Sequence, residues 1–303
     1  MSFTSGILLA YCGLATLITV FNKYILITYI PDGYTCNLYI LLVQSSMSVA
    51  MMYLCSKFGV ITYRPFDAKY LPSWIPIIVL LILSVYSNGK SVELLPISTF
   101  NVLKNIGLLL TISGDVVFFK KELHKNTYIA VSIVLVTSIL HHAYKSQDTS
   151  YSLRGVAWAI INCAACSLYG LYVKYHRTCY HGITSIEYVY YNNSLTIPVI
   201  AALSFYFEEY HSRGYLPCAY VTLNASTILF FLLSSVLTLL ITIVIANIHT
   251  HISSTTYAVV ASLNKLPMSI ISMLIFQDDI ATWSNVAFVC LSIVTSIVFV
   301  SSV

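Results

Sequence analysis

Charge is what this 303-residue sequence has least of, since Asp, Glu, Lys and Arg make up 9% of it, against about a quarter in soluble globular domains. With 58% apolar side chains and a mean hydropathy of +0.83, it cannot be a soluble domain. It belongs in a bilayer. Ten spanning helices of about 20 residues would use about 200 positions and leave about 100 for nine connections and two tails, so no soluble catalytic domain fits. Fifteen basic and eleven acidic residues give a net charge of +4, too small and scattered for the basic stripe that nucleic acid requires. A Gly-rich phosphate loop, a nucleophile elbow, a Ser/His/Asp set and low-complexity tracts are all missing. The eight cysteines form no disulfide pattern. Cys163-Ala-Ala-Cys166 lies in an apolar run with no second pair, which favours packing over zinc or redox chemistry. His141-His142 and His249-Thr-His251 sit at helix ends and lack a third ligand. No metal, cofactor or reaction is expected.

Apolar runs between polar breaks place helices near 6–28, 36–57, 72–90, 97–119, 127–144, 153–174, 184–207, 225–247, 254–276 and 281–301. The expected fold is therefore all-α, a single transmembrane domain over 1–303 with ten spans. The first run lacks a basic leader and carries Asn22-Lys23 where a cleavage site would stand, so it is expected to remain as a helix. Lys and Arg favour cytosolic connections. The 2–3, 4–5 and 6–7 connections hold Lys57, Arg64, Lys69, Lys120, Lys121, Lys125, Lys174 and Arg177, while the opposite face holds Lys90, Lys145, Arg154 and Arg213. Both termini are accordingly expected in the cytosol. Ser98-Thr99-Phe100 before Lys104-Asn105 is echoed by Thr255-Thr256-Tyr257 before Asn264-Lys265, five spans later. That spacing is the one two five-helix repeats would give, with pseudo-repeats about 1–145 and 146–303.

Three lysines fall inside expected spans: Lys23, Lys104 and Lys265. A charge at that depth costs roughly 3 kcal/mol on insertion scales, so each should face protein or water. Asp115, Glu93 and Glu187 are the candidate partners. A cavity that gathers the lysines would be positive and attract an anion; the competing reading has them snorkel or pair for structure. Tyr257, Ala261 and Lys265, four apart, form a stripe about 12 Å long, with an aromatic at one end and a cation at the other. That order suits a ligand with a ring or sugar and a phosphate, and the small Ala261 equally suits helix packing. In the seventh span, Tyr190-Tyr191-Asn192-Asn193 brings two amides into the membrane, where they need partners. An amide offers the donors and acceptor that a purine edge complements. Pro198 should loosen that helix. The formal sequon Asn192-Asn193-Ser194 is buried in the span, and Asn224-Ala-Ser226 lies close to the membrane.

Tyr190-Tyr191-Asn192-Asn193, followed by Leu195 and Pro198, resembles the Phe-Tyr-Asn-Asn motif of Golgi GDP-mannose transporters. Ala261-Ser262-Leu263-Asn264-Lys265-Leu266-Pro267 resembles their Gly-Ala-Leu-Asn-Lys motif with its trailing Leu-Pro, after a similar Ser253-Ser254-Thr255-Thr256-Tyr257 run. Tyr11-Cys12-Gly13, Asn22-Lys23, Lys104-Asn105 and Gly114-Asp115 also resemble that family, in order along the chain.

The resemblance implies the drug/metabolite transporter fold, two inverted five-helix repeats working by alternating access, and exchange of cytosolic GDP-mannose for lumenal GMP. Asn192 and Asn193, beside Tyr191, would read guanine. Tyr257, Ala261, Ser262, Asn264 and Lys265 would line the sugar-phosphate end, and Tyr11 and Thr242 would complete the pocket, with Lys23 and Lys104 as further cavity charge. Ala261-Ser262 in place of Gly-Ala changes the wall at the sugar and admits another GDP-sugar, such as one of arabinose, fucose or glucose. The implied partners are the GDP-sugar, GMP and the lipid bilayer, without nucleic acid; a homodimer stays open, as does the endoplasmic reticulum in place of the Golgi membrane. Alternative functions are a sugar-phosphate or organic-anion exchanger of the same superfamily, a membrane enzyme acting on a lipid-linked sugar, for which Asp278-Asp279 is the nearest acid pair, and a non-transporting scaffold.

Overall fold

A computed structural model describes residues 3–29, 37–95, 100, 103–120, 129, 132–133, 136, 153–180, 182–206, 225–251, 257 and 260–261. Among these residues every regular element is helical: α1 (Phe3–Tyr29), α2 (Asn37–Lys57), a 3-10 turn (Ala68–Tyr70) leading into α3 (Leu71–Leu94), α4 (Asn105–Phe119), α5 (Leu153–Cys179), α6 (Ser185–Ser204) and α7 (Ala225–His251). They fall on the first four and the sixth to eighth expected spans. The fifth, ninth and tenth lie largely outside the described residues.

The segments Leu38–Lys57, Ala68–Ser91, Leu153–Cys179 and Ala225–Thr250 are long and apolar enough to cross a membrane, and Gly6–Asn22 and Ile106–Phe119 are shorter apolar stretches. Helix α7 shows the solvent each face was built for. Leu229, Leu232, Leu233, Val236 and Leu240 are exposed while Ser234 and Ser235 are fully buried, the reverse of a helix in water. Lipid tails gain nothing by excluding leucine, so small polar residues turn inward, where they bond between helices.

Some helix bounds differ from the apolar runs that announced them. Helix α5 ends at Cys179 rather than near 174, so Lys174 and Arg177 lie inside it and not in a connection. Arg177 sits in the last turn, where the backbone dipole favours cations. Helix α4 runs from Asn105, with Lys104 as its N-cap; of the expected stretch before it, Phe100 and Leu103 are helical, and 97–99 and 101–102 lie outside the described residues. Helix α6 continues through Pro198 to Ser204.

The chain divides into two compact units, Met1–Tyr86 with Tyr175–His251, and Ser87–Lys174 with Ile252–Val303. In the first, α1 packs on α7, α2 packs on α6 and α7, and α6 packs on α7. Ile25, Ile40 and Phe231 make a core there, flanked by Tyr39, Val43 and Phe230, and Gln44 joins three helices. Its Nε2 donates to Asn22 Oδ1 at 2.8 Å and to Ser234 Oγ at 2.6 Å, and Ser234 donates to Asn22 Oδ1 at 2.9 Å.

In the second unit, α4 and α5 meet through small residues. Ser167 Oγ donates to the Gly107 carbonyl at 2.8 Å and Cys163 Sγ to the Leu103 carbonyl at 3.3 Å. A Cβ on Gly114 would fall 2.2 Å from Leu171 Cδ1, so any side chain there must displace the Leu171 methyls. Cys163 is buried and Cys166 exposed, so the pair does not share one environment. At the end of the same contact the buried Asp115 pairs with Lys174, Nζ to Oδ1 at 3.0 Å, and the ammonium lies 4.0 Å from the centre of the Phe119 ring.

Candidate functional site

The Tyr190-Tyr191-Asn192-Asn193 segment sits one turn into α6, and the start of that helix is firmly held. Thr184 caps it: its hydroxyl accepts from Glu187 N at 3.2 Å, and the Glu187 carboxylate accepts from Thr184 N at 2.8 Å. This reciprocal pair satisfies two of the donors that a helix N-terminus leaves idle. The same carboxylate, 3% exposed, accepts from Arg64 three times: from Nε at 2.8 Å, from Nη2 at 3.1 Å and from the backbone N at 3.1 Å. Arg64 Nη2 also donates to the Gly182 carbonyl. The Glu187 carboxylate beside it raises the Arg64 guanidinium above its ordinary value. In the same connection, Lys69 donates to Asp67 and holds its carboxyl below the usual carboxylate range.

The two tyrosines face this connection. Tyr191 Oη donates to the Arg64 carbonyl at 2.7 Å, its ring meets Phe66 edge-on at 5.2 Å, and Tyr190 stacks on Tyr63 at 4.1 Å. The aromatic half of the motif is thus occupied in fastening residues 63–66 to α6, which orients the amides beyond it. Asn192 and Asn193 are both buried. Asn193 Nδ2 donates to the Val189 carbonyl of its own helix at 3.1 Å, whereas Asn192 Oδ1 is buried with no hydrogen-bond partner.

Of the other sequence candidates, Tyr11 is buried in α1. Thr242, in α7, donates within its helix to the Thr238 and Leu239 carbonyls, both at 2.9 Å. Tyr257 and Ala261 are helical and half-buried. Ser262, Asn264, Lys265 and Glu93's side chain lie outside the described part, as does the side chain of Lys23, whose backbone belongs to α1. Lys104 Nζ donates to Asn88 Oδ1 at 2.9 Å and lies 4.4 Å from the centre of the Phe100 ring, so the partners it shows are neutral. Of the acids offered as partners for the three lysines, the two with described side chains hold other cations: Asp115 takes Lys174 and Glu187 takes Arg64.

The sequence reading missed Arg64 as anything beyond a charge for orientation, and it missed Gln44, Asn88 and Ser234. The Thr184-Ser-Ile-Glu187 capping box was visible and could have exposed the latch, since Ser/Thr followed three residues later by Glu marks a helix start. Among the described residues no group of three or more His, Cys, Asp or Glu could hold a metal ion.

No family model matches the chain. A protein of Aspergillus niger named GDP-mannose transporter is 31% identical over 307 residues, covering 96% of this chain and 78% of its own length. One of the same name from Aspergillus oryzae is 32% identical over 305 residues with the same coverage, and GDP-mannose transporter 1 of Emericella nidulans is 31% identical over 303 residues. In fold, the chain is similar to a solved crystal structure at a TM-score of 0.71 and 11% identity, covering 99% of this chain and 98% of that one. At that identity the likeness concerns the fold alone.

Proposed function

We infer that this chain, which belongs to the GDP-mannose transporter family, carries GDP-mannose or a related GDP-sugar out of the cytosol in exchange for lumenal GMP, by alternating access. As a multi-pass membrane protein and nucleotide-sugar transporter it performs no reaction on its cargo. We place it in the Golgi membrane, or the endoplasmic reticulum, with both termini cytosolic. The proposed fold is one domain of ten spans, arranged as two inverted five-helix repeats over about 1–145 and 146–303.

The observation that carries the guanine assignment is Asn192. A buried amide oxygen without a partner carries a desolvation penalty, which a ligand's donor relieves. Guanine offers such donors at N1–H and its exocyclic amine, and Asn192 and Asn193 can read that edge between them. Tyr11, Tyr191 and Thr242 would complete the pocket around it. For the anionic end we propose Lys265 and Asn264, with Tyr257, Ala261 and Ser262 beside the sugar and Lys23 and Lys104 adding positive charge. The methyl of Ala261 narrows the space for a hexose, and the Ser262 hydroxyl supplies a new bond, so the sugar preference is expected to be broader than mannose.

Purified protein in liposomes loaded with GMP should accumulate labelled GDP-mannose. Asn192→Ala and Lys265→Ala variants that unfold at the wild-type temperature should lose at least about tenfold in uptake, the equivalent of one lost charged or buried hydrogen bond. Equal uptake into liposomes without internal GMP refutes exchange.

A further inference from the structure

Arg177 lies in the last turn of α5 and is 8% exposed. Its Nη2 donates to Ser185 Oγ at 3.2 Å, and that hydroxyl donates onward to Asn247 Oδ1 at 2.8 Å. Its Nε and Nη1 are buried with no hydrogen-bond partner. No carboxylate pairs with it among the described residues. Glu187, ten residues on, is engaged with Arg64 and Thr184. The negative end of the α5 dipole favours a cation here, yet gives these nitrogens nothing to donate to. A buried charge of this kind is costly unless something pairs with it.

Two more unmet groups stand around the same ring. Tyr188 lies 5.1 Å from the Arg177 guanidinium, 4.7 Å from the Trp74 ring and 6.1 Å from the His176 ring. Trp74 is fully buried and its Nε1–H has no partner; His176 is 1% exposed and its Nδ1 has none. The His176 tautomer follows from its neighbour. Ser73 Oγ donates its proton to the Tyr70 carbonyl at 2.7 Å and lies 3.1 Å from His176 Nε2. Nε2 must therefore donate to Ser73, which leaves Nδ1 of the neutral ring as a bare acceptor.

The unmet set is thus a guanidinium with two idle nitrogens, one indole N–H and one imidazole lone pair. Its complement is an anion with several acceptor oxygens and one acidic O–H. A carboxylate or a phosphodiester has the oxygens but no proton to give His176. A phosphate monoester in its monoanionic form has both, and guanidinium binds phosphate through charge-assisted bonds. We propose that Arg177, Trp74 and His176 form a second anion site, for a phosphate monoester, where α5 ends and α3 and α6 begin. Asn192 lies one helical turn beyond Tyr188 along α6, and the Trp74 ring meets the Tyr191 ring edge-on at 6.0 Å, so the two sets adjoin while using different polar atoms. The monoester is supplied either by a soluble phosphate or by a phosphatidic acid headgroup; Tyr175, two residues before Arg177, is 54% exposed at this end of the helix.

The test is thermal unfolding of the full chain in detergent. Millimolar inorganic phosphate, or micelles doped with phosphatidic acid against phosphatidylcholine, should raise the midpoint by about 2–4 °C, because a ligand that binds only the folded state stabilises it. Sulfate, which carries no O–H at neutral pH, should do less. Arg177→Gln should lose the phosphate shift and keep the shift given by GDP-mannose, whose esterified diphosphate offers no monoester, whereas Asn192→Ala should do the opposite, so this site and the nucleotide reading can fail separately. Should Arg177→Gln not fold, Trp74→Phe, which removes only the N–H donor, should weaken the wild-type phosphate response. A response to soluble phosphate alone or to the lipid alone identifies the source and supports the site. Equal shifts by phosphate and sulfate, a phosphate shift that survives Arg177→Gln, or loss of the GDP-mannose shift along with it, each overturns the proposal.

Discussion

Gln44 shows what a polar side chain is for in a chain this apolar. It is 4% exposed, and by donating to both Asn22 and Ser234 it ties three helices at one point. Hydrogen bonds between membrane helices are individually modest, so Gln44→Leu, similar in size and unable to donate, should lower stability by about 1 kcal/mol, read as the unfolding midpoint in detergent. Gly114 makes the opposite demand, for absence. A methyl there meets Leu171 at 2.2 Å, and overpacking of that kind costs about 1–3 kcal/mol. Gly114→Ala should therefore be destabilising alone and largely rescued by Leu171→Ala, since the second change vacates the space the first needs; additive losses would contradict the contact.

At the scale of elements, the connection from α2 to α3 and the start of α6 behave as one piece. Glu187 accepts from Thr184 and Arg64, Tyr191 donates back to the Arg64 carbonyl, and Tyr63 stacks on Tyr190. Glu187→Gln keeps the shape and loses the charge, and it should lower the unfolding midpoint. Arg64→Gln should lower it by itself but add little in the Glu187→Gln background, because both changes break one interaction. A full additive loss would mean that the two residues act separately. In uptake, the Glu187→Gln variant should show reduced GDP-sugar transport at unchanged GMP selectivity, since it loosens the helix carrying Asn192 without touching the base.

For the whole molecule, the orientation proposal has a direct check. Val60 is 73% exposed in the connection expected on the cytosolic side. In a cysteine-free background, Val60→Cys should react with a membrane-impermeant maleimide in sealed, cytosolic-side-out membrane vesicles without permeabilisation; protection until detergent is added would invert the topology. The bilayer, the order of helices and the family were legible in the sequence, because hydropathy over about 20 residues is local information and because Tyr190-Tyr191-Asn192-Asn193 and Asn264-Lys265 are contiguous. Helix ends were legible where a cap marked them, as at Thr184, and where an apolar run stops sharply, as at Lys57 and Ala225. They were misplaced where a charge continues the helix by finding a partner, as Lys174 does in Asp115. Partnership itself was beyond the sequence. Gln44 and Ser234 are 190 residues apart, and Arg64 and Glu187 are 123 apart. Nothing local tells a lysine or an acid which neighbour it will meet. The chain alone settled which segments avoid water, since that depends on composition; only tertiary structure settled which polar groups are satisfied and which, like Asn192 Oδ1 and Arg177 Nε, are buried without a hydrogen bond, since that depends on what packing brings within 3 Å.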